Sequence, residues 1–250
     1  MKKIGIKSHT SQPEDTSLED FIKIFRDSPI PDEQIFENLG LFLKSKDLSR
    51  ILFLNHIYQK ILGVQGVVFD FGTRWGQNMV VFCALRGIYE PFNRHRRIVG
   101  FDTFSGFPKV TTHDGKSDLM KPGNVTVSKN YEQYLERVMA SHEVNYPLSH
   151  IKKYEIIKGD ASVQIKKYLA KNPETIVSLA YFDFDTYKPT KDCLRAIKPH
   201  LVKGAVLAFD ELNDHDSPGE TLALKEEFGL NSIRLKRYPY TSRVSYFVCE

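Results

Sequence analysis

Residues 66–72 read GVVFDFG, and this stretch decides the fold of the chain. It is a short apolar run that ends with an acid, Asp70, and a glycine, Gly72, as a buried strand followed by a tight turn does. Residues 76–88, which follow the turn, have the apolar spacing of a helix. This order of strand, turn and helix repeats along most of the remaining chain.

Four further apolar runs of strand length follow, and helical stretches separate them. The predicted strands lie at 97–102, 154–158, 177–183 and 205–210. The predicted helices lie at 131–142, 161–171, 189–199 and 219–228, and the tail at 232–249 predicts two more strands. Almost wholly apolar strands that alternate with helices indicate an α/β fold with a doubly wound, mostly parallel, seven-stranded sheet.

The beginning of the chain does not follow this pattern. Residues 8–20 are polar and predict a loop or loose arm, whereas apolar residues recur at helical spacing from Ile35 to Leu62 and predict two or three helices. We therefore divide the chain into an arm with helices at 1–62 and a domain at 63–250. Within the domain, residues 105–130 show no periodicity and predict a long loop, of the kind that often forms an active-site lid.

Composition and charge exclude several classes of protein. The 250 residues carry 35 Lys and Arg against 31 Asp and Glu, a mildly basic balance that decides little by itself. A nucleic-acid binder usually shows a sharper basic stripe, and we expect no nucleic-acid partner. No apolar run approaches the ~20 residues of a membrane span, and no secretory signal is recognisable, so we expect no membrane partner. The cysteines are odd in number and widely spaced, which favours a reducing compartment and a cytoplasmic location. They are Cys83, Cys193 and Cys249.

An acid stands at the end of strand after strand. The row consists of Asp70, Asp102, Asp183 and Asp210, with Asp160 just beyond the third strand. Open parallel sheets bind their ligands outside the carboxyl ends of the strands. Each acid alone is explained as a cap or a turn residue. The whole set, placed at strand ends, favours a site.

The turn at 70–76 reads DFGTRWG and lacks the Gly-x-Gly-x-x-Gly pattern that holds a pyrophosphate. It favours a nucleoside-like ligand without phosphates, such as S-adenosylmethionine (SAM), although Gly72 can equally serve only to close the turn. Asp102 is placed to accept hydrogen bonds from ribose hydroxyls, or to cap a turn. Asp160 can lie beside an adenine ring or cap the helix that follows it.

The densest group of acids is Asp183 and Asp185 with Asp210 and Glu211. If the fourth and fifth strands are neighbours, their ends lie about 4.8 Å apart, and crowded carboxylates repel unless they share a proton or a cation. An all-oxygen group suits Mg²⁺ or a similar ion. Alternatively, Asp185 caps a helix and the other acids solvate a loop. His215 is a weaker candidate for a base or ligand, since a loop histidine is usually solvated.

Four ordered motifs resemble the macrocin O-methyltransferase-like family. They are 70–76, 100–108 (GFDTFSGFP), 181–190 (YFDFDTYKPT) and 204–211 (GAVLAFDE). The resemblance covers roughly residues 45–230. Members of this family are Rossmann-like class I SAM-dependent enzymes that methylate sugar hydroxyls of natural products, commonly with a magnesium ion. The family usually has Glu where Asp70 stands, and a pair of Asp where this chain has Asp210 and Glu211.

The resemblance also assigns roles to individual residues. It implies that Gly72 and its neighbours line the methionine part of SAM, that Asp102 holds the ribose and that Asp160 lies by the adenine. The implied cofactor-binding residues are Asp70, Gly72, Thr73, Arg74, Asp102, Thr103, Phe104, Asp160, Ala161 and Asp183. The implied metal ligands are Asp183, Asp210 and Glu211.

We therefore expect a metal-assisted O-methyltransferase that acts on a sugar or polyol hydroxyl of a natural product or polysaccharide. Asp183, Asp185 or His215 would accept the proton of that hydroxyl. Relatives often form dimers or larger assemblies, so we expect a homo-oligomer. Three alternatives stay open: a catechol-like acceptor, a module that binds SAM without turnover, and an RNA-associated methyltransferase. The predicted lid has few aromatic residues, Phe104 and Phe107, which argues against a flat aromatic acceptor.

Overall fold

The computed structural model describes the backbone of residues 12–250 and the side chains of residues 17–250. The chain begins there with three helices, α1 (Gln12–Arg26), α2 (Asp32–Ile35) and α3 (Ser45–Lys60), and a 3₁₀ helix (Phe36–Phe42) lies between α2 and α3. The loop predicted for residues 8–20 is wrong from residue 12 onward, and residues 8–11 lie outside the described part.

The error has a physical cause. Apolar residues at helical spacing begin with Leu18, Phe21 and Phe25, just beyond most of the polar stretch that suggested a loop. The rings of Phe21 and Phe25 contact the ring of Phe42, with centroids 6.4 and 4.8 Å apart. The helix is therefore stabilised by contacts with the 3₁₀ segment, which a window centred on residues 8–20 does not include.

Seven strands form one sheet, which confirms the predicted fold class. They are β1 (Val67–Phe71), β2 (Ile98–Asp102), β3 (Tyr154–Lys158), β4 (Val177–Phe182), β5 (Leu201–Phe209), β6 (Lys236–Arg237) and β7 (Ser245–Val248). Their order is β3-β2-β1-β4-β5-β7-β6. Strands β1 to β5 are parallel, and β7 pairs antiparallel with both β5 and β6.

Helices cover both faces of the sheet. The remaining ones are α4 (Gln77–Tyr89), α5 (Tyr131–Val144), α6 (Ala161–Lys171), α7 (Tyr187–Ile197) and α8 (Gly219–Glu227). Helices α3, α4 and α5 share one hydrophobic core with the sheet, and α6, α7 and α8 share the other. Neighbouring strand residues alternate between the two cores, as Tyr181 and Phe182 do, because successive side chains of a strand point to opposite faces. The sheet is therefore doubly wound, as predicted.

Four phenylalanines align the strand ends. In the sheet register Phe71 pairs with both Phe101 and Phe182, and Phe182 pairs with Phe209. Their rings stack in a row, with neighbouring centroids 4.9 to 5.1 Å apart. Asp102, Asp183 and Asp210 each follow one of these residues directly. The buried aromatic row therefore brings the three acids to one edge of the sheet.

The segments on either side of this edge are well anchored. Three side chains of α3, those of Phe53, Leu54 and Ile57, are fully buried against the sheet, so this helix is part of the domain core. The division of the chain at residue 62 stays a prediction. Residues 105–130 contain a 3₁₀ turn, and the buried carboxylate of Asp114 within it accepts a hydrogen bond from the backbone N–H of Tyr187, at the start of α7. No helix among the described residues is long and apolar enough to cross a bilayer.

The turn after β1 touches the end of β4 backbone to backbone. Gly72 has φ +89°, and a Cβ atom there would lie 2.0 Å from the carbonyl oxygen of Asp183. The N–H of Asp183 donates to the carbonyl of Phe71 at 2.8 Å, which fixes this approach. Gly123 has a similar φ of +80°, but nothing lies within 4 Å of a Cβ built there.

The two glycines allow the cost of the close approach to be measured. We expect Gly72→Ala to lower the free energy of unfolding by about 3 kcal/mol or more, because it adds a steric overlap to the left-handed backbone penalty. Gly123→Ala should cost about 1 kcal/mol, the backbone penalty alone. Urea unfolding of both variants checks this, and equal losses would mean that the contact with Asp183 relaxes freely.

Candidate functional site

A cavity of about 380 Å³ opens at the carboxyl ends of β1, β2, β4 and β5. Its size is within the range of small-molecule sites. Most of the residues predicted from the sequence line it: Gly72, Thr73, Arg74, Asp102, Thr103, Asp160, Ala161, Asp183, Asp185, Asp210 and Glu211. The other three, Asp70, Phe104 and His215, do not.

Asp102 organises one half of this cavity. Its carboxylate accepts hydrogen bonds from the backbone N–H groups of Arg74 (2.8 Å) and Phe104 (2.6 Å). Both residues have positive φ, +49° and +54°, so Asp102 stabilises two turns in an uncommon conformation. Burial raises the pKa of Asp102, and the two N–H donors oppose that rise.

Asp160 lies on the same side of the cavity and caps α6. Its carboxylate accepts from the N–H of Ser162 at 2.9 Å, and the N–H of the preceding Gly159 donates to the carbonyl of Asp102 at 2.8 Å. The capping role is therefore present. It does not prevent ligand contact, because Asp160 also lines the cavity.

Asp70 lies beneath the cavity and is fully buried. One carboxylate oxygen accepts from Nδ2 of Asn78 at 3.1 Å, and the other, Oδ2, has no hydrogen-bond partner among the described residues. Burial raises the pKa of Asp70 to about 6. An unpaired buried carboxylate favours a cationic ligand nearby, and SAM carries both a sulfonium and an ammonium group. The Asp102 half of the cavity therefore fits SAM.

The acids at the other end of the cavity surround an arginine that sequence analysis missed. Arg50, on α3, donates from Nη2 to Asp183 Oδ2 at 2.5 Å and from Nη1 to Asp210 Oδ1 at 2.9 Å. Tyr181 also donates to Asp210 Oδ1, at 2.8 Å. Burial and the charge of Asp210 raise the pKa of Asp183, and the Arg50 guanidinium opposes that rise.

A second arginine, Arg243, reaches the acids from the loop between β6 and β7. Its Nη2 lies 3.4 Å from Asp210 Oδ2 and is in direct contact with Glu211. Asp210 and Glu211 are almost fully buried, whereas the Arg243 side chain is about half exposed. The guanidinium therefore covers the two acids from the solvent side.

Asp185 differs from these paired acids. It lies at the cavity wall with φ +57°, and no group in the described part of the chain donates a hydrogen bond to its carboxylate. Burial is the main cause that raises the pKa of Asp185 to about 6, and the charge of Asp210 is the second. Asp185 does not cap α7, whose N-cap is Thr186. It is a carboxylate available to a ligand.

Glu220, on α8, is fully buried behind this wall. Its carboxylate accepts from the backbone N–H groups of Phe184 (2.9 Å), Asp185 (3.3 Å) and Glu211 (3.4 Å). It therefore links the turn after β4 to the turn after β5. Burial and the charges of Asp185 and Asp183 raise the pKa of Glu220.

His215 lies apart from the cavity. Its side chain is fully exposed, and Nδ1 is 3.6 Å from a carboxylate oxygen of Asp216. Phe104 is buried in the core, where only its backbone N–H serves the site. The structure thus brings the strand-end acids together and leaves His215 in solvent.

Three functional residues lay outside the sequence predictions: Arg50, Arg243 and Glu220. The clustered acids are the one signal that pointed to the arginines, because four carboxylates at one sheet edge require cations nearby. The sequence does not show which of the 35 Lys and Arg residues these are. Glu220 carried no recognisable signal.

The acids predicted to bind a metal do not fit one in this arrangement. One carboxylate oxygen of Asp183 and one of Asp210 accept from Arg50, and Glu211 contacts Arg243. No group of three or more His, Cys, Asp or Glu among residues 17–250 is placed to hold a metal ion. We therefore derive no chemical step through a metal.

Comparison with known proteins places the chain in a family. No family model and no curated protein matches it. A crystal structure of CalS11, described as calicheamicin methyltransferase, is 39% identical, with 96% of this chain and 94% of that chain covered and a TM-score of 0.94. The apo structure of CalS11, described as TDP-rhamnose 3′-O-methyltransferase, is 37% identical, with 96% of each chain covered and a TM-score of 0.85.

A more distant structure, the O-methyltransferase NovP, is 16% identical, with 80% of this chain and 79% of that chain covered and a TM-score of 0.60. It supports the fold alone. The identity to CalS11 extends over nearly the whole of both chains, which goes beyond a shared fold. The chain therefore belongs to the macrocin O-methyltransferase-like family and is a class I SAM-dependent O-methyltransferase.

Proposed function

We propose that this enzyme methylates a hydroxyl group of a deoxysugar that is carried on a nucleoside diphosphate. CalS11, whose described substrate is TDP-rhamnose, is 37 to 39% identical over nearly the whole chain. The observation that carries the proposal is the single cavity that joins Asp102, at the cofactor end, to the unpaired carboxylate of Asp185. Such a cavity can hold a methyl donor and a hydroxylated acceptor side by side.

In the cofactor half, backbone N–H groups fix the side chain that is proposed to bind SAM. Asp102 is the proposed partner of the ribose hydroxyls, and its two backbone hydrogen bonds keep its carboxylate oriented. Gly72 lines the cavity, and its lack of a side chain lets the turn after β1 pack against the backbone of Asp183. When bound, SAM supplies an electrophilic methyl group on its sulfonium. The chain contributes alignment of the acceptor, which is a large part of the rate enhancement in such displacements.

Asp185 is the proposed general base. An acceptor hydroxyl loses its proton as the oxygen is methylated, and a carboxylate that no side chain occupies can take that proton. Asp183 has a guanidinium partner and His215 lies in solvent, so both are poorer candidates. A base with a pKa near 6 is deprotonated at neutral pH and is still basic enough to accept a proton.

Exposed cations at the cavity suit an acceptor that carries phosphate. Lys46, Arg74 and Arg243 line the cavity and are all exposed. Lys and Arg bind phosphate oxygens by charge-assisted hydrogen bonds. This favours a nucleoside-diphosphate sugar over a neutral sugar as the acceptor. Metal assistance was expected from the sequence and is not shown, and the contacts of Arg50 with Asp183 and Asp210 argue against it. A cytoplasmic location and a homo-oligomer stay predictions.

The acceptor class is tested by methyl transfer from SAM to three compounds: TDP-rhamnose, free rhamnose and catechol. We expect kcat/KM for TDP-rhamnose to exceed that for free rhamnose by about 100-fold or more, because the diphosphate adds at least two charge-assisted contacts. Quantifying S-adenosylhomocysteine by mass spectrometry gives the rates. Faster turnover of catechol than of both sugars would remove the sugar proposal and favour a phenolic acceptor.

Asp102 is expected to dominate cofactor affinity. In Asp102→Ala the dissociation constant of SAM should rise about 10- to 100-fold, the effect of losing hydrogen bonds to a charged group. Calorimetric titration measures it. The matched control is Asp192→Ala, which removes an acid of α7 that pairs with Lys188 outside the cavity. Equal SAM affinity in wild type and Asp102→Ala would contradict the proposed role.

The general base is tested by the pH profile of kcat. Asp185 accepts a proton only when ionised, so kcat should fall as the pH falls through about 6 and level off above it. Asp185→Asn should lower kcat by about 100-fold or more and remove this acidic limb, with SAM affinity unchanged. His215→Gln should leave kcat and its profile unchanged. Loss of the limb in His215→Gln instead would identify the histidine as the base.

A further inference from the structure

All three nitrogens of the Arg50 guanidinium donate hydrogen bonds in the acceptor half of the cavity. Nε donates to Oδ1 of Asn78 at 3.2 Å, while Nη1 and Nη2 donate to Asp210 and Asp183. Its Cζ atom lies 5.7 Å from the ring centroid of Tyr181. Each nitrogen contacts a different side chain, so the orientation of the guanidinium is defined on three sides.

The helix that carries Arg50 is itself held in place. Phe53, Leu54 and Ile57 follow Arg50 within two turns of α3, and all three are fully buried. Phe53 also packs on Tyr238, near the loop that carries Arg243, with ring centroids 5.1 Å apart. The position of the Arg50 guanidinium is therefore fixed by the packing of α3 in the core.

A divalent ion and Arg50 would compete for the same oxygens. Oδ2 of Asp183 and Oδ1 of Asp210, which an ion between the two acids would need, already accept from Arg50. A guanidinium has no acceptor atom, so it cannot join the coordination shell of an ion. The remaining candidate ligand, Glu211, is in contact with Arg243.

The guanidinium also supplies what the acids need. Two neighbouring carboxylates repel each other, and a cation between them removes that repulsion. Arg keeps its charge throughout the working pH range, and its planar fork matches two carboxylates at once. Arg50 pairs with Asp183 and Asp210, and Arg243 pairs with Glu211, so Asp185 is the one of these four acids with no ion pair among residues 17–250.

We propose that Arg50 is the resident cation of the acceptor site, holding Asp183 and Asp210 in place of a divalent ion, so that methyl transfer needs no metal. Arg50 is proposed to act through the two acids that it contacts and is therefore a positioning residue. The kinetic part of this inference rests on the proposed function. The part that concerns metal binding rests on the contacts of Arg50 alone.

The test compares the wild-type enzyme with Arg50→Met, which keeps the length of the side chain and removes its charge. Mn²⁺ binding is followed by electron paramagnetic resonance, and methyl transfer to TDP-rhamnose is measured in excess EDTA and with added Mn²⁺. In the wild type we expect Mn²⁺ to stay free and EDTA to leave the rate unchanged. In Arg50→Met the rate should fall about 100-fold, Mn²⁺ affinity should rise about tenfold or more, and added Mn²⁺ should restore part of the rate.

Two further variants support this comparison. Arg50→Lys keeps a charge but not the fork, so its rate should lie between those of the wild type and Arg50→Met. It also serves if Arg50→Met does not fold, which circular dichroism and SAM calorimetry would reveal. Arg97→Met removes an arginine that pairs with Glu155 on the surface, and it should change neither the rate nor Mn²⁺ binding.

Stoichiometric Mn²⁺ binding by the wild type, together with loss of its activity in EDTA, would overturn the inference. So would an Arg50→Met enzyme that keeps the wild-type rate. Absence of methyl transfer to TDP-rhamnose in every variant would refute the proposed function instead. In that case the Mn²⁺ titration still decides whether Arg50 excludes a metal ion.

Discussion

The repulsion between carboxylates at one edge of the sheet is the constraint on which the site depends. Parallel strands in register bring their ends together, and here β2, β4 and β5 each end at or directly before an acid. Cations must come from elsewhere in the chain: Arg50 from α3 and Arg243 from the loop before β7. Helix α3 contacts β7, the strand that follows this loop, since Nε2 of His56 lies 2.9 Å from the hydroxyl of Tyr246. Docking of the N-terminal helices on the C-terminal strands is therefore part of building the site.

Backbone strain is concentrated at the same edge. Arg74, Phe104 and Asp185 have positive φ, and each lies in a turn that follows a strand. Such conformations cost about 1 kcal/mol or more unless the surrounding structure stabilises them. Asp102 accepts from the N–H groups of the first two and Glu220 from that of the third. The site is therefore preorganised by side-chain acceptors that satisfy these strained turns, which explains why the buried Glu220 stands behind the cavity wall.

The strand-end acids could be predicted because their positions follow from local pattern and topology. An apolar strand has a defined end, and parallel order places all such ends on one edge, so Asp102, Asp183 and Asp210 were found without a structure. Arg50 could not, because it is 133 residues from Asp183 in the sequence and nothing local marks it. The helix over residues 12–20 was missed for a related reason, as its stabilising contact is with Phe42.

Asp183 and Asp185 show that position decides chemistry more than residue type does. They are two residues apart, yet Asp183 follows β4 directly and meets Arg50, whereas Asp185 has a left-handed backbone and accepts no hydrogen bond from residues 17–250 at its carboxylate. A difference in environment can make one of two neighbouring acids structural and the other a base. The turn at residues 183–186, held by Glu220 on one side and by the contact with Gly72 on the other, is what makes that separation. A change that relaxed this turn would bring the two acids into equivalent surroundings and remove the feature that makes Asp185 the proposed base, while leaving every carboxylate in place.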